Sequence, residues 1–163
     1  AEAACAAALN IEGAAIIADR AWLGLRGPLV PGRGAPLLRL ADGQPQATML
    51  SLDAVAWIRF GGGLADYGIR ELTLDNNTLL GIAGPMRDAP GAPFVLWSVP
   101  AADLKPGATL DATIINPRLP SSSEGLALGD DELVIVIDGD QPDDGARTCQ
   151  EPSQQLRLPR STP

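Results

Sequence analysis

Three glutamates recur at matching places along the chain. Glu12, Glu71 and Glu124 each open a short apolar stretch, 59 and then 53 residues apart, and Arg26 and Arg70 lie beside the same stretches. Carboxylates brought to one place repel, and a hard cation relieves that with oxygen ligands. Glu12, Glu71 and Glu124, with Asp138 and Asp140 of the acidic Asp138-Gly-Asp140 run, are therefore the candidate metal ligands, and Ca2+ is the cofactor they would take. The plainer reading, favoured here, has each glutamate accept backbone N–H groups of a neighbouring element, as buried carboxylates usually do. Glu12, Arg26, Arg70, Glu71 and Glu124 also form the candidate ligand-binding set, because guanidinium forks hold a carboxylate or phosphate well. Against that stands a structural role, in which the arginines pair with the glutamates and lock adjacent elements together. The structural role is preferred, since it also explains how the carboxylates tolerate convergence.

Other chemistry is excluded by what the chain lacks. It has no histidine, which removes Ser-His-Asp and Cys-His triads and histidine metal sites together. No nucleophile elbow or phosphate-binding loop is present, and Gly61-Gly-Gly63 lacks the lysine and strand-to-helix context, so it reads as a hairpin connector. Ser121-Ser-Ser123 reads as a polar loop. The run from Asp138 to Asp144 fails the EF-hand pattern, with Pro142 at the fifth position and Asp143 where glycine is required. A solvated acidic turn is the better description. No catalytic residue is assigned.

A net charge of -8 with a pI near 4.4 disfavours nucleic acid and anionic membrane surfaces as partners. No apolar stretch approaches the ~18 residues of a membrane-crossing helix. The longest clean run, Leu133-Val-Ile-Val-Ile137, is strand length. The alanine-rich opening has no basic flank and is not itself a signal peptide. Cys5 and Cys149 are either two unrelated small apolar residues or a disulfide clipping the first repeat to the last. The disulfide would imply an extracytoplasmic compartment, periplasmic or secreted; otherwise the localisation is open.

The elements that must position these residues follow from an internal repeat. Its first copy reads Ile11-Glu-Gly-Ala-Ala-Ile-Ile17, Trp22-Leu-Gly-Leu-Arg-Gly-Pro28 and Ala35-Pro-Leu-Leu-Arg-Leu40. Its second reads Arg70-Glu-Leu-Thr-Leu74, Leu79-Leu-Gly-Ile-Ala-Gly-Pro85 and Ala92-Pro-Phe-Val-Leu-Trp97. Its third reads Ser123-Glu-Gly-Leu-Ala-Leu128, Leu133-Val-Ile-Val-Ile-Asp-Gly139 and Gln154-Gln-Leu-Arg-Leu158. Gly, Pro, Asp and Asn separate the segments, which fits short strands and breaks any ten-residue helix. A fourth strand is expected at 54–60 in the first copy and at 109–115 in the second. Four antiparallel strands in about 50 residues is the size of a β-propeller blade. The expected fold is all-β: a single partial propeller domain over 1–163, with blades at about 10–60, 68–115 and 123–159. Trp22, Trp57 and Trp97 are expected to pack between blades.

The motifs Asn10-Ile-Glu-Gly13 with Gly24-Leu-Arg-Gly-Pro28, Gly68-Ile-Arg-Glu-Leu72 with Ile82-Ala-Gly-Pro85, and Ser123-Glu-Gly-Leu-Ala127 resemble a bacterial family, domain-of-unknown-function family 3616. The likeness spans Leu9 to Asp138 and departs in the Asp138–Ser153 insertion. It implies a β-propeller, extended at its N-terminus relative to this chain, and no established activity. Three blades cannot close a ring. The chain is therefore read as the C-terminal half of a six-bladed propeller, whose partner is an N-terminal half or a second copy of itself. Its open faces would be lined by residues such as Trp22, Leu25, Val134 and Val136. The expected function is non-catalytic binding of a small ligand or protein at the glutamate- and arginine-bearing face. The alternative is a calcium-dependent phosphoester hydrolase using channel carboxylates.

Overall fold

The computed structural model describes residues 9–41, 51–87, 91–138 and 153–160. The fold is all-β, and among the described residues the only helical element is one 3₁₀ turn, Ala101–Asp103. Cys5, Cys149 and Asp140 lie outside the described residues, so the disulfide and the second half of the acidic run do too.

Three sheets form, one per copy of the repeat. The first contains β1 (Asn10–Ile17), β2 (Arg20–Gly27), β3 (Ala35–Leu40) and β4 (Leu52–Arg59), antiparallel in that order. The second contains β5 (Tyr67–Asp75), β6 (Thr78–Pro85), β7 (Phe94–Pro100) and β9 (Thr113–Leu119). The third contains β10 (Ser123–Leu128), β11 (Glu132–Ile137) and β12 (Gln154–Pro159). The strand expected over 109–115 is in fact two. β8 (Thr109–Asp111) runs parallel to β4 and joins the first sheet, and the chain crosses at Ala112 to β9 in the second. The crossing is clamped by Arg59, whose Nε and Nη2 donate to Asp111 at 2.6 and 2.8 Å.

The apolar pattern explains the order of the sheets. β6 is buried at every position but the first, and Phe94-Val-Leu-Trp97 of β7 is buried throughout. A strand that is apolar on both faces must be covered on both faces. On one side of the second sheet, Ile69, Leu72, Leu79, Val95 and Trp97 pack with Ala15, Ile17, Trp22, Leu37 and Ile58 of the first. On the other side, Leu80, Ile82, Phe94 and Leu96 pack with Leu133 and Ile135 of the third. The second sheet is thus the filling between two others. Trp22 and Leu25, expected on an open face, are instead buried at 2 % and 1 % exposure. Trp97 is fully buried with its ring edge-on to Phe60 at 5.5 Å, whereas Trp57 is half-buried beneath the Arg33 guanidinium at 4.3 Å.

Close approach of the first two sheets depends on glycine. A Cβ at Gly68 would sit 2.0 Å from the Arg26 carbonyl oxygen, a backbone atom that cannot rotate away. Gly68→Ala is therefore expected to cost about 1–3 kcal/mol or more, as overpacking does. Gly61→Ala, with no atom within 4 Å of the new methyl, should be near neutral. Urea unfolding of the two variants checks this; equal midpoints would show that the seam has slack.

Candidate functional site

Each sheet begins with a hairpin, and each hairpin carries a β-bulge in its first strand. The pairing skips Glu12 between Ile11 and Gly13, Arg70 between Ile69 and Glu71, and Glu124 between Ser123 and Gly125. Five residues after the bulge, the hairpin closes: at Ile17 opposite Arg20, at Asp75 opposite Thr78, and at Gly129, whose N–H reaches Glu132 O at 2.8 Å. The equivalent residues are therefore Glu12, Arg70 and Glu124, spaced 58 and 54 apart, and Glu71 is one position out of register. A one-residue offset sends a side chain to the other face of its sheet.

The bulge residues meet. Arg70, 5 % exposed, donates from Nη1 to Glu12 Oε2 at 3.2 Å and from Nη2 to Pro85 O at 2.9 Å. The same Nη1 lies 3.7 Å from Glu124 Oε1, and the guanidinium stacks over the Phe94 ring at 4.9 Å. Arg26 donates from Nη1 to Glu12 Oε1 at 3.3 Å and from Nε to Met86 O at 3.1 Å. Asn10 Nδ2 adds a bond of 2.9 Å to Glu12 Oε1. Glu12 is thus held by side chains from two sheets, not by the backbone donors favoured from sequence. Arg70 joins the first and third sheets to the second through one group.

Glu71 is not among these contacts. Its Oε1 accepts the Leu72 N–H at 2.8 Å, the next residue of its own strand. Burial pushes its pKa above the ordinary 4.5, opposed by that bond. Glu124 shifts upward for the same first reason, with Arg70 pulling it down and Glu12 and Asp138 pushing it up. Asp138 is therefore near the cluster, and its N–H bonds to Ser122 O at 2.9 Å. Burial lowers the Arg70 pKa, with Glu12 the main opposing influence, yet an arginine stays protonated in proteins.

Among the described residues no group of three or more His, Cys, Asp and Glu could hold a metal ion. The arginines interleave the acidic residues and supply the positive charge a cation would. A depression lined by Asp130, Asp131, Glu132, Arg157, Leu158 and Pro159 lies at the hairpin end of the third sheet, remote from the bulges. Asp75 and Arg160, not singled out from sequence, pair near that end, and Arg160 Nη1 also donates to Gly129 O at 3.0 Å. No helix among the described residues is long and apolar enough to cross a membrane.

What the fold and site define is a repeat protein of serially packed sheets, with an ion-pair cluster at the bulged end of its first strands. Residues 4–109 match the family described as a protein of unknown function, DUF3616. That is more than half of the chain, and the chain belongs to this family. The third repeat lies beyond the matched span. No curated protein and no solved structure matches.

Two outcomes follow. Arg70→Leu leaves Glu12 and Glu124 short of a partner and should cost about 2–4 kcal/mol. That is below the figure for a fully buried pair, because Glu12 and Glu124 keep some solvent. Denaturant unfolding measures it; a loss under half a kcal/mol would mean the bridge holds nothing together. Glu71→Gln should raise the melting temperature at pH 7. The folded-state pKa of Glu71 lies above its unfolded value, so keeping the ionised form folded costs stability above the raised pKa. As the pH falls through the raised value to below 4.5, Glu71 takes up a proton and the wild type should draw level with the variant. Melts across that range decide it, and a gap that widens on acidification would refute the assignment.

Proposed function

We propose that the chain is a non-catalytic β-propeller module, and that it binds a donor-bearing, cationic group of a small ligand or protein at the bulged end of its sheets. Three features support radial blades. The sheets pack face to face in series, their first strands are neighbours, and each carries its bulge at the same distance from its hairpin. Such a stack, continued, turns into a propeller.

The observation that carries the binding reading is the direction in which the charges are spent. Arg26 and Arg70 both donate to Glu12, and each also donates to a backbone carbonyl at the end of β6 or just past it. A carboxylate or phosphate ligand would have to break these bonds. Glu124 is different: its side chain is 49 % exposed, and one arginine 3.7 Å away is its ion-pair partner. Glu124 and Asp138 are close enough to repel. They suit an ammonium or guanidinium, which supplies donors only.

The hydrolase alternative needs converging carboxylates around Ca2+, and the turning away of Glu71 leaves it without an observation in its favour.

Thermal melts with agmatine, spermidine, phosphate, citrate and Ca2+ separate the readings. Agmatine or spermidine should raise the melting temperature of the wild type and not of Glu124→Gln. Stabilisation by phosphate or citrate alone would reverse the sign of the site. Stabilisation by Ca2+ with turnover of a nitrophenyl phosphodiester would establish the hydrolase.

A further inference from the structure

The two outer faces of the three-sheet stack are not alike. At the seam between the first and second sheets, small residues receive large ones. A Cβ on Gly13 would lie 2.9 Å from Leu72 Cγ, and one on Gly24 would lie 2.5 Å from Ile69 Cγ2. In the third sheet the position of Gly13, one past the bulge, is Gly125, and that of Ala15 is Ala127. Both belong to the side turned away from the second sheet, since the register places Gly125 opposite Val136 and Ala127 opposite Val134. The three atoms nearest to a Cβ on Gly125 all belong to Val136, which is 37 % exposed. The third sheet therefore repeats Gly13 and Ala15 of the first, but carries Val136 where the first has Gly24, and among the described residues no large residue of a following sheet packs on Gly125.

The charges on its rim say what kind of sheet would fit. Each seam within the chain joins opposite signs at the bulge: Glu12 with Arg70, then Arg70 with Glu124. The open side of the third sheet presents Glu124, with Asp138 at the register position that Arg26 holds in the first. We infer that this face docks a further β-sheet whose innermost strand carries arginine or lysine at its bulge. A large apolar residue two places after that cation, as Leu72 stands to Arg70, seats over Gly125, and the residue before the cation is small, because Val136 fills the space that Gly24 leaves for Ile69. A second copy of this chain is the poorer occupant. Its first sheet offers the exposed Ile11 and Ile16 as large residues but would bring Glu12 against Glu124 and Asp138. Like charges across a seam disfavour docking.

A charge exchange within the full-length chain tests this. Glu12→Arg with Arg70→Gln places the missing cation on the first sheet and removes the arginine it would oppose. In low salt, sedimentation velocity should show the double variant associating head to tail about tenfold more tightly than the wild type. Adding Glu124→Gln and Asp138→Asn should return it to the wild-type level. If circular dichroism shows that the double variant is unfolded, Asp138→Arg alone puts a cation on the other side of the same seam and should strengthen association through Glu12 of a second copy. A folded variant that associates no better than wild type overturns the inference. So does a wild type that already associates as tightly as the variants, which would make a second copy the occupant.

Discussion

A guanidinium that is 5 % exposed keeps its charge, so its surroundings must answer that charge. Around Arg70 the answer comes from every direction. Glu12 arrives from the first sheet, Glu124 from the third, the Pro85 carbonyl from its own, and the Phe94 ring face lies beneath. The bulge turns one residue per first strand out of the pairing, and the extra twist it brings re-aims that residue. Three bulges at the same height then place three side chains at one end of the stack. The ion-pair cluster is therefore a consequence of strand irregularity repeated in register.

The rest of the packing is set by the second sheet. Its central strand β6 and the Phe94–Trp97 stretch of β7 have no polar face to offer water, so they are stable only when covered twice, and the first and third sheets cover them. This asymmetry of the three repeats is visible in single strands. β6 is buried at seven positions of eight, whereas β12 is half-buried or exposed along its length. Gly13 and Gly68 let the first seam close to backbone contact and Gly24 makes room for Ile69, which brings Glu12 within reach of Arg70. Removing that space would separate the charges as well as the sheets.

Much of this was legible in the residues, and the failures have physical causes. The strands, their hairpins and the three copies follow from apolar runs broken by Gly, Pro, Asp and Asn, because period and turn chemistry are local properties. The arginine–glutamate pairing was legible as a preference, since buried acids need donors. The register was not. Aligning like with like matched Glu71 to Glu12 and Glu124, whereas the bulge matches Arg70 to them. Counting back from the hairpin turns would have exposed the offset, because backbone geometry and not side-chain identity is what repeats. Here the middle copy conserves the position and inverts the sign. The split of 109–115 into β8 and β9 was hidden for a related reason. Nothing in Thr109 to Ile115 marks a change of sheet, and it is pairing with β4 and with Arg59, 52 residues earlier, that makes Asp111 a member of the first.

Inverting the sign at the middle position has a consequence for where a ligand can act. Had all three bulges carried glutamate, the end of the stack would need a cation to exist, and a bound metal would be part of the fold. With arginine in the middle, the fold supplies its own cation and Glu12 already accepts from three donors. What remains available is the outermost carboxylate, Glu124, at the margin where the described sheets end. The same residue lies at the rim of the third sheet's open face. The proposed recognition and the proposed continuation of the stack would thus draw on one carboxylate, and a cation from a neighbouring sheet would compete for it with a ligand.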